Sequence, residues 1–153
     1  MKEGDETIFH SCIEKQQALL ELFQGLGSTE EKYQKIIELG KQLPPLDASF
    51  QTEACRVAGC QSRLYIHSYM KDGKIYFEAD ADALISKGLA ALLVQVFSGE
   101  TPETVLKCPP LHLQKLGLQE MLTPSRSNGL AAVYLRLKQE ALTFLLQKKK
   151  EGQ

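Results

Sequence analysis

The chain has 153 residues, 43% of them hydrophobic, which fits one domain with a core of its own. Its 18 basic and 19 acidic residues nearly cancel and the pI is near 6.3, so the basic stripe that nucleic-acid binding needs is missing. The longest apolar run, Gly88 to Phe97, is too short for a bilayer-spanning helix of roughly 20 residues, and no membrane role is expected.

Met1 to Glu6 is acidic with no apolar stretch behind it, unlike a secretory signal or an Arg-rich transit segment. Thr7 to Phe23 reads as a first helix, with Ile8, Cys12, Leu19, Leu22 and Phe23 on a loose stripe that ends at Gly25 and Gly27. Ser28 and Glu31 have capping-box spacing and start a second helix, whose Tyr33, Ile36, Ile37 and Leu39 keep the 3.6 period until Pro44-Pro45. Ala54 to Ala58 is predicted as a short strand leading into Cys60. Arg63 to Met70 alternates, with Leu64, Ile66 and Met70 on one face and Tyr65, His67 and Tyr69 on the other; Asp72-Gly73 then turns the chain into a partner strand, Ile75 to Ala79.

Asp82 is placed to cap the next helix, which runs to Phe97 and is apolar around most of its circumference. Gly88 in its middle calls for a close backbone approach. Ser98 to Pro102 breaks the chain, and Thr104–Leu106, Leu111–Leu116 and Leu118–Leu122 read as short helical turns. A long last helix carries Leu130, Val133, Tyr134, Leu137, Ala141, Leu142 and Leu145 on one side. Its closing Lys148-Lys149-Lys150 complements the negative end of the helix dipole. With no repeat, linker or low-complexity tract, residues 1–153 are expected to form a single domain with its core over about 7–147. The predicted fold is α+β, a small three-stranded antiparallel sheet packed against helices in two layers.

Four widely spread cysteines, Cys12, Cys55, Cys60 and Cys108, suit free thiols in a reducing compartment, so a cytoplasmic protein is expected. Cys12 lies on the apolar stripe of the first helix and Cys55 is expected to pack inward, whereas Cys60 follows Gly59 at a turn, where a thiol is open to reaction. Nearby positive charge would lower its pKa, and Arg56, Arg63 and Arg126 are the candidates. Arg126 follows Thr123-Pro124 at a helix start, where its guanidinium opposes the dipole and is available to an anion.

Gly59-Cys60-Gln61-Ser62, the Leu122-Thr123-Pro124-Ser125-Arg126-Ser127-Asn128-Gly129-Leu130 segment and Ile36 to Pro44 together resemble the SufE family of sulfur acceptors, over about Glu31 to Lys138. The resemblance implies a SufE/NifU-like sheet backed by helices, and a carrier that accepts persulfide sulfur on Cys60 without a turnover or cofactor of its own. It implies a pyridoxal-phosphate cysteine desulfurase (SufS- or CsdA-like) as donor, stimulated by the carrier, and a SufB-type iron–sulfur scaffold as next acceptor. Arg126 would then orient or stabilise the thiol region. Gly59, Gln61, Ser62, Asp80 and Asp82 would belong to the partner surface. Cys55 departs from the family pattern, which usually has a polar residue there, and self-association is left open by the sequence.

Three other readings compete, the last of them a thiol-free interaction module, for which Cys60→Ser would leave function intact. Cys55 with Cys60 and Cys108 with His112 formally supply a zinc set, weakened by the stiff Pro109-Pro110 inside the second pair. A Cys–His hydrolase would need a base; an extended strand carries His67 about 20 Å from Cys60, His10 and His112 stay open, and no oxyanion-forming glycine run accompanies the thiol.

Overall fold

The structure, a computed structural model, describes residues 8–151; the acidic start and the predicted helix start at Thr7 lie outside them. Helix α1 (His10–Leu22) buries Cys12, Gln16 and Leu19. Ser28 starts α2 (Thr29–Lys41) as the spacing predicts: its Oγ accepts from the Glu31 N–H at 3.1 Å and donates back to the Glu31 carboxylate at 3.1 Å. After Pro44-Pro45 the chain makes two 3₁₀ turns, Ala48–Phe50 and Glu53–Cys55.

Strands β1 (Leu64–Lys71) and β2 (Lys74–Ala81) form an antiparallel hairpin, in a register that sets Leu64 opposite Ala81 and Lys71 opposite Lys74. Asp72 (φ 54°) and Gly73 (φ 78°) are both left-handed, the two-residue turn that an Asp-Gly pair favours. Leu64, Ile66, Ile75, Phe77 and Ala79 are buried on the inner face. On the outer face Phe50 stacks on His67 with centroids 3.6 Å apart, and Tyr69 and Tyr76 extend the stack.

The predicted third strand does not form. Ala54–Cys55 belongs to a 3₁₀ turn, and only an isolated bridge, Arg56 to Tyr65, remains beside the hairpin, so the sheet has two strands. Arg136 explains the termination: its guanidinium takes the carbonyls of Ala54 (2.5 Å) and Arg56 (3.0 Å), acceptors that a strand would have used for its ladder.

Helix α3 (Leu84–Phe97) lies across β2 and against α2, with Leu89 to Val94, Val96 and Phe97 buried. Its first residue, Leu84, is apolar yet 58% exposed. At the crossing with α2, Gly40 meets Gly88: a Cβ on Gly40 would stand 2.6 Å from the Gly88 nitrogen, and one on Gly88 would run into the Ile36 carbonyl. The glycine predicted to mark a close approach therefore does so, backbone on backbone.

Three short helices follow, α4 (Pro102–Lys107), α5 (Leu111–Lys115) and α6 (Leu118–Met121), before the 28-residue α7 (Pro124–Glu151). α7 packs on α3 and α4 through Leu130, Val133, Leu137 and Ala141, while Leu142, predicted inward, is 45% exposed. The architecture is α+β, an antiparallel hairpin backed by helices. Among the described residues no helix is long and apolar enough to cross a membrane.

Candidate functional site

Between the bridge and β1 the chain makes a short loop, Ala58 to Arg63, with Cys60 near its apex. Its base is closed on both sides. The Val57 N–H donates to the Leu64 carbonyl at 2.9 Å, and Arg63 and Asp82 are joined by two bonds, Arg63 N–H to the Asp82 carboxylate at 3.0 Å and Asp82 N–H to the Arg63 carbonyl at 3.1 Å. Asp82 was expected to cap α3, but its carboxylate serves this latch, and Ala83 stands at the helix start without a side-chain cap. Gly59 has φ +91°, and a Cβ there would press to 3.3 Å on the Ala132 methyl of α7, so the loop lies down on that helix only with glycine here.

The Cys60 thiol turns inward and donates to the Gly129 carbonyl of α7 at 3.7 Å, a long, weak bond. It lines a cavity of about 400 Å³ whose walls include Leu64, Leu89 and Val133, with Ser62 and Arg126 as polar members. Burial pushes the thiol's pKa up, opposite to the expected lowering. The arginines explain this. Arg56 leans on Glu53 at 3.7 Å, and Arg63 is exposed. Arg126 reaches the cavity wall but holds its guanidinium over the Tyr33 ring, 5.3 Å from the centroid. It makes no ion pair or backbone-carbonyl bond among the described residues, so its charge is not spent on tying down the loop. The resting thiol is thus protonated, sheltered and within the same cavity as a cation that has an aromatic neighbour but no anionic partner among the described residues.

Gln61 and Ser62 also line this cavity, and Asp82 is exposed at the loop base. Asp80 is different. Its carboxylate accepts from the Leu46 N–H at 3.1 Å and the Ala81 N–H at 2.9 Å and pairs with Lys87 at 3.2 Å. Burial alone would raise its pKa, but the bonds from Leu46, Lys87 and Ala81 outweigh that and hold it below the usual carboxylate value. It pins the segment after Pro45 to the sheet. Asp80→Ala is expected to lower stability at pH 7 by about 2 kcal/mol, since the buried Leu46 amide and Lys87 lose their partner. Because the folded pKa is depressed, the contribution is present above the unfolded value of about 4 and fades as pH falls through the folded one. Melting curves of the two proteins should converge in acid; a constant gap from pH 7 to 3 would refute the ionic account.

The residue that sequence reasoning missed is Arg136. Besides the two carbonyls ahead of the loop it touches Glu140 at 3.4 Å, and so it clamps the approach to Cys60 onto α7. Nothing local to a helical arginine signals backbone partners some 80 positions away.

The zinc set is not assembled. Cys108 and His112 are buried beside Cys12 and Gln16, and neither lines the Cys60 cavity; among the described residues no three His, Cys, Asp or Glu side chains group as a metal would require. The hydrolase reading fails on the same geometry. His67 faces Glu78 on the outer side of the hairpin at 2.9 Å, His112 is sealed in with its Nε2 on the Leu92 carbonyl at 2.9 Å, and His10, paired with Glu14 on the exposed side of α1, does not line the Cys60 cavity. Cys55, predicted inward, is half-exposed and does not line the cavity.

Residues 17–141 match the model of the SufE family, described as an Fe-S metabolism associated domain. The chain is 36% identical over 119 residues to the sulfur acceptor protein CsdE of Escherichia coli, covering 76% of this chain and 81% of that protein. It is 35% identical to an uncharacterised SufE-like protein of Synechocystis, covering 84% and 80%. It also matches SufE-like protein 1, chloroplastic/mitochondrial, of Arabidopsis thaliana at 37% identity over 91% of this chain, but spans only 38% of that longer protein. A solution structure of a hypothetical protein from Thermus thermophilus superposes with a TM-score of 0.71 at 34% identity, over 86% of this chain and 96% of that one. The family model matches well over half of the chain and the relatives match most of its length, so the chain belongs to the SufE family.

Proposed function

We propose that this protein is a sulfur carrier of iron–sulfur metabolism, with Cys60 as the atom that is loaded. The observation that carries the reading is the thiol itself: near the apex of a base-closed loop, held by one weak bond, and turned into a cavity with apolar walls and a guanidinium that has no anionic partner among the described residues. The name of the Escherichia coli relative, a sulfur acceptor, supports it.

In the transfer, Cys60 loses its proton as the loop leaves the cavity and its thiolate attacks the outer sulfur of a donor cysteine persulfide. A new S–S bond forms on Cys60, the donor's S–S bond breaks, and the donor leaves as a thiolate. The donor is a pyridoxal-phosphate cysteine desulfurase of SufS or CsdA type, which the carrier stimulates by removing its product; a SufB-type scaffold receives the sulfur next. Once loaded, the loop returns, and the terminal sulfur, more acidic than a thiol, enters the cavity as an anion beside Arg126. There the walls keep small reductants away. Gly59, Gln61, Ser62 and the exposed Asp82 form the rim that a partner meets, whereas the Asp80 carboxylate is already engaged within the fold.

Intact-mass spectrometry after incubation with a cysteine desulfurase and L-cysteine tests this. A reductant-labile gain of one sulfur atom is expected in the wild type and in Cys55→Ser, and none in Cys60→Ser. Arg126→Ala should load and then lose the sulfur to reductant about tenfold faster, as one charge-assisted contact would predict. Loading that survives in Cys60→Ser, or no loading from an active donor, would sink the proposal.

A further inference from the structure

Cys12 and Cys108 share none of the Cys60 cavity, and the carrier reading leaves them without a role. They come from parts of the chain roughly 100 residues apart and are both buried. Their thiols are neighbours around one buried polar group, the side-chain amide of Gln16. One side chain spans the pair. Gln16 points its amide nitrogen at both sulfurs, 3.8 Å from each, donates to the Pro109 carbonyl at 2.9 Å, and takes the His112 N–H on its oxygen at 3.3 Å. The contact is therefore built into the junction between α1 and the α4–α5 corner.

We propose that Cys12 and Cys108 form an oxidisable dithiol, which a low-molecular-weight disulfide converts into a covalent bond stapling α1 to the α4–α5 corner.

The chemistry balances as two exchanges. One protein thiolate attacks a sulfur of the small disulfide, whose S–S bond breaks to release one small thiolate, and a mixed disulfide forms. The second protein thiolate then attacks the protein sulfur of that mixed disulfide and releases the other small thiolate. The two cysteines lose two electrons and two protons, and the small disulfide gains them as two thiols.

Three observations favour closure. Both sulfurs border the same Gln16 nitrogen at 3.8 Å, so the bonded separation of about 2 Å is approached by turning two side chains toward each other. Closure removes two S–H donors and leaves sulfur as a weak acceptor, so the Gln16 amide keeps its neighbours and no donor is orphaned. The environment also fits a neutral product, because Glu100, 6% exposed and 2.6 Å from Lys15, lies close enough to oppose a thiolate on either cysteine. Hydrogen bonding from Cys12 lowers the Cys108 pKa while it raises that of Cys12, which makes Cys108 the first nucleophile of the pair. Cys12 also lies ahead of residues 17–141, so the staple would fasten a helix whose first half is outside the family match.

Burial slows attack on the folded protein, so the test passes through the unfolded chain. Full-length Cys60→Ser is unfolded in urea and refolded in buffer rich in oxidised glutathione. Its remaining thiols are then alkylated under denaturing conditions and mapped by peptide mass spectrometry. The expected product has a Cys12-to-Cys108 crosslinked peptide pair, Cys55 outside the crosslink as a glutathione adduct or an alkylated thiol, and a melting temperature roughly 5–10 °C above that of the reduced protein. Cys108→Ala in the same background should show neither the crosslink nor the rise. Full alkylation after refolding, glutathione adducts on Cys12 or Cys108 in place of the crosslink, a crosslink to Cys55, or a crosslinked protein no more stable than the reduced one would each overturn the proposal. Because Cys60 is absent from the test, its outcome is independent of whether Cys60 carries sulfur.

Discussion

Gly88→Ala is expected to lower the melting temperature by roughly 5–10 °C. In an exposed helix this change is favourable by about 1 kcal/mol, because alanine loses less backbone entropy. Here the new methyl runs into the carbonyl of Ile36 and comes within 2.7 Å of its Cγ2. The obstacle on one side is backbone in mid-helix, so α2 and α3 must separate, and their separation disturbs Ile36, Leu39, Leu92 and Leu93 at the centre of the core. Overpacking of this kind costs about 3–4 kcal/mol, and the net loss of about 2–3 kcal/mol gives that shift for a chain of this size. Thermal unfolding followed by circular dichroism checks it. An unchanged or higher melting temperature would mean that the two helices do not meet at Gly40 and Gly88 in solution.

Arg136→Met should act on the thiol more than on stability. Methionine keeps the apolar stem on α7 but removes the donors to the Ala54 and Arg56 carbonyls. Both carbonyls lie near solvent, so water replaces part of the loss, and the expected destabilisation is about 1–2 kcal/mol. The same free energy falls on the segment that leads into Cys60. A loop held less firmly is open for a larger fraction of the time, and each 1.4 kcal/mol is about a tenfold change in that fraction. Alkylation of Cys60 by iodoacetamide at pH 7 should therefore quicken about tenfold. Its pH midpoint, raised in the wild type by burial, should fall toward the ordinary thiol value of about 8.5. An alkylation rate equal to wild type would show that the clamp does not govern the loop.

Local signals in the chain held up well. Ser28 with Glu31, Asp72-Gly73, the alternation from Leu64 to Tyr69 and the interruption by Gly88 each describe an interaction within a few residues or a steric demand of one residue, and each is realised. The failures share a cause, competition from a distant partner. Asp82 looks like a helix cap until the Arg63 amide takes its carboxylate, and Ala54 to Ala58 looks like a strand until Arg136 takes its carbonyls. The arginines expected to acidify Cys60 are near it in sequence or motif, but in space Arg56 answers to Glu53 and Arg126 to Tyr33. Cys108, uninformative in its own surroundings, acquires meaning only when α1 brings Gln16 and Cys12 to its side.

The bond from Cys60 to Gly129 is long, and it is the one hydrogen bond of the thiol among the described residues. A partner that takes hold of the extruded loop must draw on its own binding free energy to populate that conformer. If one molecule in a hundred is extruded at rest, apparent affinity is weakened about a hundredfold relative to a loop fixed outward. For the carrier proposed above such weak association would be an advantage, because it must part from a donor before it can meet an acceptor. The inward turn of one side chain thus lowers the apparent affinity of any partner that binds the extruded loop.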